Sequence, residues 1–365
     1  RPGIAFAFVA THNHFVLDRG GKVFNRSAPV IKLPEDATED DHLALLGYLN
    51  SSTACFWMKQ VFFDKGGGGI GGGLASSEWE QFYQFDSTKL QMLPLPDSLL
   101  ANTSVANLSR RLEALAQQGN ELDSYERFCA HVGEAESPDD LRARVAADRR
   151  SRGTVLRKLL FLQEELDWYF YFLHGLTDES LSLSTVQLEC VTAEPVNPAG
   201  RPAVRRYALS KASPDREIER YFEFCGMTRA SDVAEGGSSE TKSRWSRRLT
   251  AIDRSRDLQL LESPKNKRNL RETWRGHDVH SHASRWIAGA VEDLLSGVTT
   301  TTLDDLASTI GSDRRAQMVI EVLTGDPSSN LGRILKDVIV ADSVPYLAAL
   351  RYSPSGLEKR AAWEA

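Results

Sequence analysis

The sequence predicts an α+β fold, in which a mixed α/β N-terminal region is followed by a long helical spacer and a mostly α-helical C-terminal region. Short runs of β-branched and aromatic residues, separated by turn residues, dominate roughly the first hundred positions. Leucine and phenylalanine then recur at intervals of three and four across residues 139–175, which is typical of a long amphipathic helix ending at Gly175. Shorter helical patterns fill much of the remaining chain.

The chain has 365 residues, which is enough for two or three domains with their own cores. Changes in sequence texture predict three segments, at residues 1–100, 101–180 and 181–365. The glycine- and serine-rich stretch "EGGSSETKS" predicts a flexible linker near residues 234–243.

Strands are predicted for residues 4–9 ("IAFAFV"), residues 14–17 ("HFVL") and the segment "APVIKLP". Gly20 and Gly21 lie between two β-rich runs, which predicts a hairpin turn in "DRGGKVF".

Two capping-box patterns predict helix starts. Thr38 and Asp41 open a helix that the run Asn50-Ser51-Ser52 breaks or kinks. Ser77 and Glu80 open a short turn of helix that carries several aromatic residues. The remaining helices are predicted at residues 104–132, 139–175, 243–262, 284–296, 303–324 and 331–350.

Charge and cysteine content restrict the class of protein. The net charge of −6 argues against a generally basic DNA binder, but residues 141–160 and 201–285 carry a local basic excess. That excess is compatible with one DNA-binding face and equally with solvated helices. Four scattered cysteines without a CxxC pair suggest reduced thiols in the cytoplasm, and no apolar run predicts a membrane span. The first residue is not Met, so we expect a piece of a longer protein.

The segment "DKGGGGIGGGL" matches the dinucleotide-binding pattern GxGxxG twice. Such a site needs a βαβ unit, whereas here only a short helix is predicted after the glycines and no second buried strand. A P-loop is excluded because no Gly-Lys-Ser/Thr follows. Two interpretations remain open: a surface loop, or a loop that lets the backbone approach a nucleic-acid groove with Lys65 at its edge.

Other candidate sites lack the partners that their chemistry requires. "HDVHSH", with His277, His280 and His282, has no matching thiolate or carboxylate pair for zinc. Pro214-Asp215 and "ETK" imitate a metal-dependent nuclease pattern, but the glutamate falls in the predicted linker. We therefore predict no catalytic residues, no metal site and no cofactor in this chain, which favours a binding or specificity module.

Several segments, taken in order, resemble the target-recognition region of PglX-type adenine-specific DNA methyltransferases. These proteins belong to phage-growth-limitation and BREX defence systems and are related to type IIG restriction-modification enzymes. The resemblance rests on "VATHNHFVLDRGGKVFNRSAPVIKLP", "LLGYLNSSTACFWMKQVFFDKGG", "WEQFYQFDSTKLQMLPLP" and "LQEELDWYFYFLHGL". It continues in "LQLLESPKNKRNLRETW" and "VPYLAALRYSPSGLEKRAAWE".

The resemblance implies a division of labour. The family's catalytic Asn/Asp-Pro-Pro-Tyr/Phe motif is absent, since no Pro-Pro occurs, and so is its glycine-containing cofactor motif. S-adenosylmethionine binding and adenine methylation would then belong to a missing N-terminal methyltransferase domain. Residues 1–100 would be a target-recognition domain for double-stranded DNA in the cytoplasm, with other defence-system proteins as further partners.

The DNA-binding candidates follow from side-chain chemistry, because amides pair with adenine, arginine pairs with guanine and lysine binds phosphate. They are Asn13, Arg19, Lys22, Asn25, Arg26, Lys59, Lys65, Gly68, Gly69, Gly71, Gln81, Gln84, Lys89 and Gln91. Each of them could also be an ordinary polar residue of a surface loop. Trp57, Trp79, Phe82 and Tyr83 are interpreted as core residues rather than stacking platforms.

Two other functions remain open. The chain could be a protein–protein docking module of a defence complex that does not read DNA. Alternatively, it could be an enzyme that uses the glycine run to bind a nucleotide, which tight binding of S-adenosylmethionine or ATP would reveal.

Overall fold

A computed structural model describes residues 1–67, 78–100, 102–183, 239–263, 265–267, 279–295, 302–326 and 330–341. Within these ranges the α+β fold class is confirmed. The strands are β1 (Gly3–Phe6), β2 (Val9–Ala10), β3 (Phe15–Asp18), β4 (Val30–Ile31), β5 (Phe63–Gly67) and β6 (Gln81–Gln84). The first helices are α1 (Glu39–Leu49), α2 (Ser52–Val61), α3 (Ser87–Leu90), α4 (Thr103–Glu121), α5 (Tyr125–Glu134) and α6 (Pro138–Leu173). The later helices are α7 (Ser239–Arg254), α8 (Arg256–Leu261), α9 (Val279–Leu295), α10 (Leu303–Ser312), α11 (Arg314–Thr324) and α12 (Leu331–Ala341).

The chain forms two compact units. Unit 1 comprises Arg1–Gly119 and Gly153–Thr273, and unit 2 comprises Asn120–Arg152 and Trp274–Ala365. Helices α4 and α6 both continue across this division. The three-segment organisation based on sequence stays a prediction. Among the described residues, no helix combines the length and the apolar character that crossing a bilayer requires.

Unit 1 contains two antiparallel three-stranded sheets, with strand orders β3-β1-β4 and β2-β6-β5. The extended run from Gly3 to Ala10 contributes to both sheets. Between them, the amide of Phe8 donates to Ser27 O (3.0 Å), and the amide of Phe85 donates to Phe8 O (2.8 Å). The two sheets are therefore positioned by one continuous stretch of backbone.

The predicted hairpin at Gly20-Gly21 is wrong. Both glycines have positive φ, +112° and +86°, as a turn requires, but β3 pairs with β1 and not with the residues after the turn. The physical reason is burial: every residue of β1 is buried, whereas the side chain of Val23 is fully exposed. A strand with an apolar face gains more free energy by pairing with the buried strand β1 than by pairing with exposed residues after the turn.

The first capping box is confirmed. Thr38 Oγ1 accepts a hydrogen bond from the Asp41 amide (3.2 Å), and the Asp41 carboxylate accepts one from the Thr38 amide (2.7 Å). The hydroxyl of Thr38 also donates to this carboxylate (2.7 Å), and the hydrogen bonds from the hydroxyl and the amide of Thr38 lower the pKa of Asp41. The predicted break is also confirmed, because α1 ends at Leu49 and Ser51 caps the start of α2.

The second predicted helix start is wrong beyond its first turn. Residues 78–80 form a single 3₁₀ turn, and residues 81–84 form strand β6 instead of helix. β6 is the central strand of the second sheet, so pairing with β2 and β5 overrides the local helix signal. Ser77 lies outside the described residues.

The predicted helices are confirmed within the described residues, with breaks at capping residues, and residues 342–350 of the last one lie outside the described part of the chain. Ser124, Ser255 and Asp313 cap α5, α8 and α11, which divides three of the predicted helices in two. Gly175 ends α6 at φ +68°, where the Leu176 amide donates to Tyr171 O (2.9 Å). Residues 239–243, predicted as the end of a linker, form the first turn of α7.

A buried ion cluster connects three parts of unit 1. The Lys267 side chain is 0% exposed, and its ammonium lies 3.1 Å from Glu164, 2.8 Å from Asp167 and 2.8 Å from Glu262. Three N–H donors thus meet three carboxylates. Asp167 also accepts hydrogen bonds from the amide (2.8 Å) and hydroxyl (2.7 Å) of Ser52, so α6, the start of α2 and the end of α8 are joined.

Neighbouring contacts extend this cluster. The Tyr171 hydroxyl donates to Glu262 (2.8 Å), and burial together with the nearby carboxylates raises the pKa of Tyr171 well above its ordinary value. Arg248 donates to Glu165 (2.8 Å) and to the carbonyl of Leu181 (2.9 Å), and both charged side chains are almost fully buried. Helix α7 is therefore held against α6 by a second buried pair.

In unit 2, α5 and the N-terminal part of α6 pack with α9 to α12 around an apolar core. Beside that core, Asp148 accepts hydrogen bonds from His131 (2.6 Å) and Arg127 (2.7 Å). Burial alone raises the pKa of Asp148, but the hydrogen bonds from Arg127 and His131 outweigh it and the pKa is lowered.

We expect the substitution Lys267→Met to destabilise the chain by about 3–5 kcal/mol, because it leaves buried carboxylates without a counter-charge. The measurement is the free energy of unfolding in urea. Arg247→Met is the matched control, since Arg247 is half exposed and pairs with exposed Glu179 (3.1 Å), and we expect it to cost less than about 1 kcal/mol. Equal losses for the two variants would contradict a dominant role of the buried cluster.

We expect Asp148→Asn to destabilise unit 2 by about 1–3 kcal/mol at neutral pH, because charge-assisted hydrogen bonds are lost. Since the folded pKa of Asp148 lies below its ordinary value of 3.8, its stabilisation is present above pH 3.8 and is lost as pH falls through the folded pKa. The difference in unfolding free energy between the parent and the variant should therefore shrink in acid. A difference that stays constant from neutral to acidic pH would disprove this assignment.

Candidate nucleic-acid interface

The second sheet has two chemically different faces. Opposed residues of paired strands point to the same face, so the register places Val9, Gln84 and Phe63 in one row across β2, β6 and β5. The alternate residues Tyr83 and Phe85 are buried in the core of unit 1. The row is open to solvent, because Val9 is 44% and Phe63 is 62% exposed. We call the side of this sheet that carries Val9, Gln84 and Phe63 the outer face.

Strand β5 lies at the edge of this sheet and contains a bulge. Its register with β6 shifts between Asp64 and Gly66, which leaves Lys65 as the extra residue. Lys65 is exposed at the end of β5 that leads into residues 68–77. A bulge at an edge redirects a side chain, and the exposed Lys65 lies two residues after Phe63 at this edge of the sheet.

A second lysine is fixed over the exposed aromatic ring. Lys89, in the short helix α3, has its Nζ 3.4 Å from the ring centroid of Phe63. The same ammonium donates to the carbonyl of Val61 (2.5 Å). The lysine and the ring thus hold each other in place through a cation–π contact.

Two of the candidate DNA-binding residues are buried, which is a correction. Asn13 is 0% exposed and donates to Leu49 O (2.7 Å) and Ser51 O (2.9 Å), so its amide closes the junction between α1 and α2. Lys59 is 6% exposed and donates to the carbonyl of Lys265, and burial lowers the pKa of Lys59. Neither side chain reaches the surface of unit 1.

Two further candidates are engaged by carboxylates. Arg19 donates to Glu39 (2.7 Å) and Glu113 (2.6 Å), and the hydrogen bonds to Glu113 and Glu39 raise its pKa further. Gln81 donates to Asp64 on the face of β6 opposite to the outer face. Because carboxylates already accept these hydrogen bonds, Arg19 and Gln81 have fewer hydrogen-bond donors available for DNA.

The remaining described candidates are accessible. Lys22, Asn25 and Arg26 lie on one exposed loop after β3, and the Arg26 guanidinium lies 5.9 Å from the ring centroid of Phe8. Phe8 immediately precedes β2, so the loop that carries Arg26 passes beside the second sheet. Gln91 is exposed just after α3. The candidates Gly68, Gly69 and Gly71 lie outside the described residues.

No sequence pattern marks Phe63 and Val9 as surface residues of a site. Both are apolar, and only the strand register reveals that they flank Gln84 on the solvent side. The prediction of core positions is confirmed for Trp79 and Tyr83, each 4% exposed.

The alternative sites gain no support within the described part of the chain. β5 pairs antiparallel with β6, the next strand among the described residues, so these two strands do not form a parallel βαβ frame for the glycine run. His282 packs against the ring of Phe128 and contacts the carbonyl of Asp123 (3.0 Å), which gives it a structural role in unit 2. No cluster of metal-ligating side chains occurs among the described residues. His277 and the Pro214-Asp215 pair fall outside them.

Comparison with known proteins gives three findings. The chain is 34% identical to the adenine-specific methyltransferase PglX of Streptomyces coelicolor over 375 aligned positions, which cover 98% of the chain. The chain spans only 29% of that relative's length. No solved structure matches the chain significantly. Residues 159–365 match the family described as "Domain of unknown function (DUF7008)". Because that match covers more than half of the sequence, the chain belongs to the DUF7008 family.

Proposed function

We propose that this chain is the target-recognition part of a site-specific adenine-N6 DNA methyltransferase of the PglX type, acting in BREX-like phage defence. The similarity to PglX over nearly the whole chain supports the methyltransferase context. The observation that carries the DNA-reading role is the outer face of the second sheet. There the partly exposed amide of Gln84 lies between two exposed apolar residues, Val9 and Phe63. Lys89 contacts the ring of Phe63, and the exposed Lys65 follows Phe63 by two residues.

The proposed division of contacts follows the chemistry of DNA. Lysine ammonium groups bind phosphates and set the position of the protein, whereas amides discriminate between base edges. Lys65, Lys89 and the loop residue Lys22 would make phosphate contacts. Gln84 would contact a base edge, as would Asn25 on the neighbouring loop.

Recognition of this kind would depend on local charge. Residues 1–100 contain eight Lys and Arg and eleven Asp and Glu residues, so the segment as a whole does not attract phosphate. The carboxylate of Asp64 lies on the opposite side of the sheet, where Gln81 donates to it. The few exposed cations near the outer face should therefore dominate the salt dependence of binding.

Methyl transfer would take place elsewhere in a longer protein. S-adenosylmethionine supplies the methyl group in such enzymes, and its nucleotide part needs a glycine turn within a parallel βαβ frame. The described strands of this chain pair antiparallel, so they do not fit that requirement. We place the cofactor and the flipped adenine on a separate methyltransferase domain, and the complete enzyme in the cytoplasm.

We expect the 365-residue chain to bind a labelled duplex with an affinity that falls steeply as salt rises from about 50 to about 200 mM. Lys65→Gln should weaken binding to all sequences and reduce the log–log salt slope by about one, because one phosphate contact is lost. Fluorescence anisotropy measures both quantities.

Lys336→Gln removes the same charge from an exposed position on α12 in unit 2 and should leave the slope unchanged. Binding of equal strength at low and high salt would contradict phosphate recognition. Absence of any DNA affinity, together with capture of another defence protein, would favour the alternative of a protein–protein docking module.

We expect Gln84→Ala in the full-length protein to relax or shift the methylated sequence while methylation continues, since an amide on a base edge contributes roughly 1–3 kcal/mol of discrimination. Gln81→Ala is the matched control on the same strand, because Gln81 faces the opposite side and is bound to Asp64. The measurement is genome-wide mapping of N6-methyladenine. An identical methylation pattern for parent, variant and control would exclude Gln84 from base reading.

A further inference from the structure

The ring of Phe63 has an unusual environment for an exposed aromatic side chain. It is 62% exposed and lies on an edge strand, although a large apolar ring gains free energy from burial. Its neighbour across the sheet is Gln84, followed by Val9, which is also exposed. Phe63 therefore belongs to an apolar strip on the outer face with a hydrogen-bonding group in its middle.

The ring is held in a fixed position. The ammonium of Lys89 lies 3.4 Å from the ring centroid and is itself anchored on Val61 O (2.5 Å). Asp86 caps the helix that carries Lys89, accepting a hydrogen bond from the Lys89 amide (2.9 Å). A ring fixed in this way loses little side-chain freedom when a ligand stacks on it, and most of its surface remains open.

The charges next to the ring indicate which ligand would stack there. Lys89 lies on the ring itself, and Lys65 projects from the bulge two residues further along the same strand. An aromatic surface with adjacent ammonium groups is complementary to a nucleobase whose flanking phosphates are negative. Gln84 adds a donor and an acceptor for the polar edge of a base.

We propose that Phe63 is a base-stacking residue that receives an unstacked nucleobase of DNA, while Lys65 and Lys89 bind the flanking phosphates. This inference rests on the proposed DNA-reading function and extends it from an intact duplex to a locally opened one. Enzymes that act on a base extract it from the stack, and the opened site leaves unpaired bases for which an aromatic ring is a suitable partner.

The test uses the complete 365-residue chain and three labelled DNA probes. These are a perfect duplex, the same duplex with one unpaired adenine bulge, and the single strand. We expect the chain to bind the bulged duplex about 5- to 150-fold more tightly than the perfect duplex, the range expected for stacking one base on one ring. Fluorescence of 2-aminopurine at the bulge should be quenched on binding.

Three variants isolate the ring. Phe63→Ala should remove the preference for the bulge and the quenching, and Phe63→Trp should retain both. Phe172→Ala removes another exposed ring, 42% exposed on α6, and should change neither. Because Phe63 is largely exposed, its variants should keep the parent's melting temperature, which is measured in parallel.

The outcomes separate this inference from the function on which it rests. Equal affinity of the parent chain for perfect and bulged duplexes, or a preference that survives Phe63→Ala, would overturn the stacking role and leave duplex recognition standing. Failure to bind any of the three probes would overturn both, and the outer face would then be a candidate surface for a protein partner.

Discussion

Unit 1 depends on the ammonium group of Lys267, which is buried among three carboxylates. Desolvating four charges is costly, and the cost is offset only when all of them are paired in good geometry. Here Glu164 and Asp167 come from α6, Glu262 follows α8, and Asp167 also holds the start of α2. The arrangement is therefore specific, because any shift between these elements leaves a buried charge unpaired.

This cluster explains why the N-terminal sheets and part of the DUF7008 region fold as one unit. Residues far apart in sequence complete each other's hydrogen bonds: Lys59 from α2 donates to the carbonyl of Lys265, only two residues from Lys267. The ammonium of Lys59 also lies 5.3 Å from the ring centroid of Tyr83 on β6. The buried cluster fixes residues 265–267, and through Lys59 this segment supports β6, the central strand of the second sheet.

That support acts on one side of the sheet, and Val9 and Phe63 on the other side are exposed. Tyr83 anchors the inner face, so Gln84 must point outward, because neighbouring residues of a strand alternate between faces. Lys89 contacts Phe63 in the outward row, and the exposed Lys65 lies two residues further along the same strand. A packed inner face and a polar, partly aromatic outer face suit the DNA-reading role proposed for this sheet.

By itself the sequence determined the local features: the capping box at Thr38, the break at Ser51, the long helix ending at Gly175 and the α+β class. These depend on hydrogen bonds and periodicity within a few residues, which sequence patterns encode directly. Only the tertiary structure decided that residues 81–84 pair as a strand. It also decided which of the chemically similar candidate DNA-binding residues are buried and which are exposed. Asn13 and Lys59 are buried, whereas Lys65 is exposed and Gln84 is partly exposed, because strand register and contacts between distant segments determine burial.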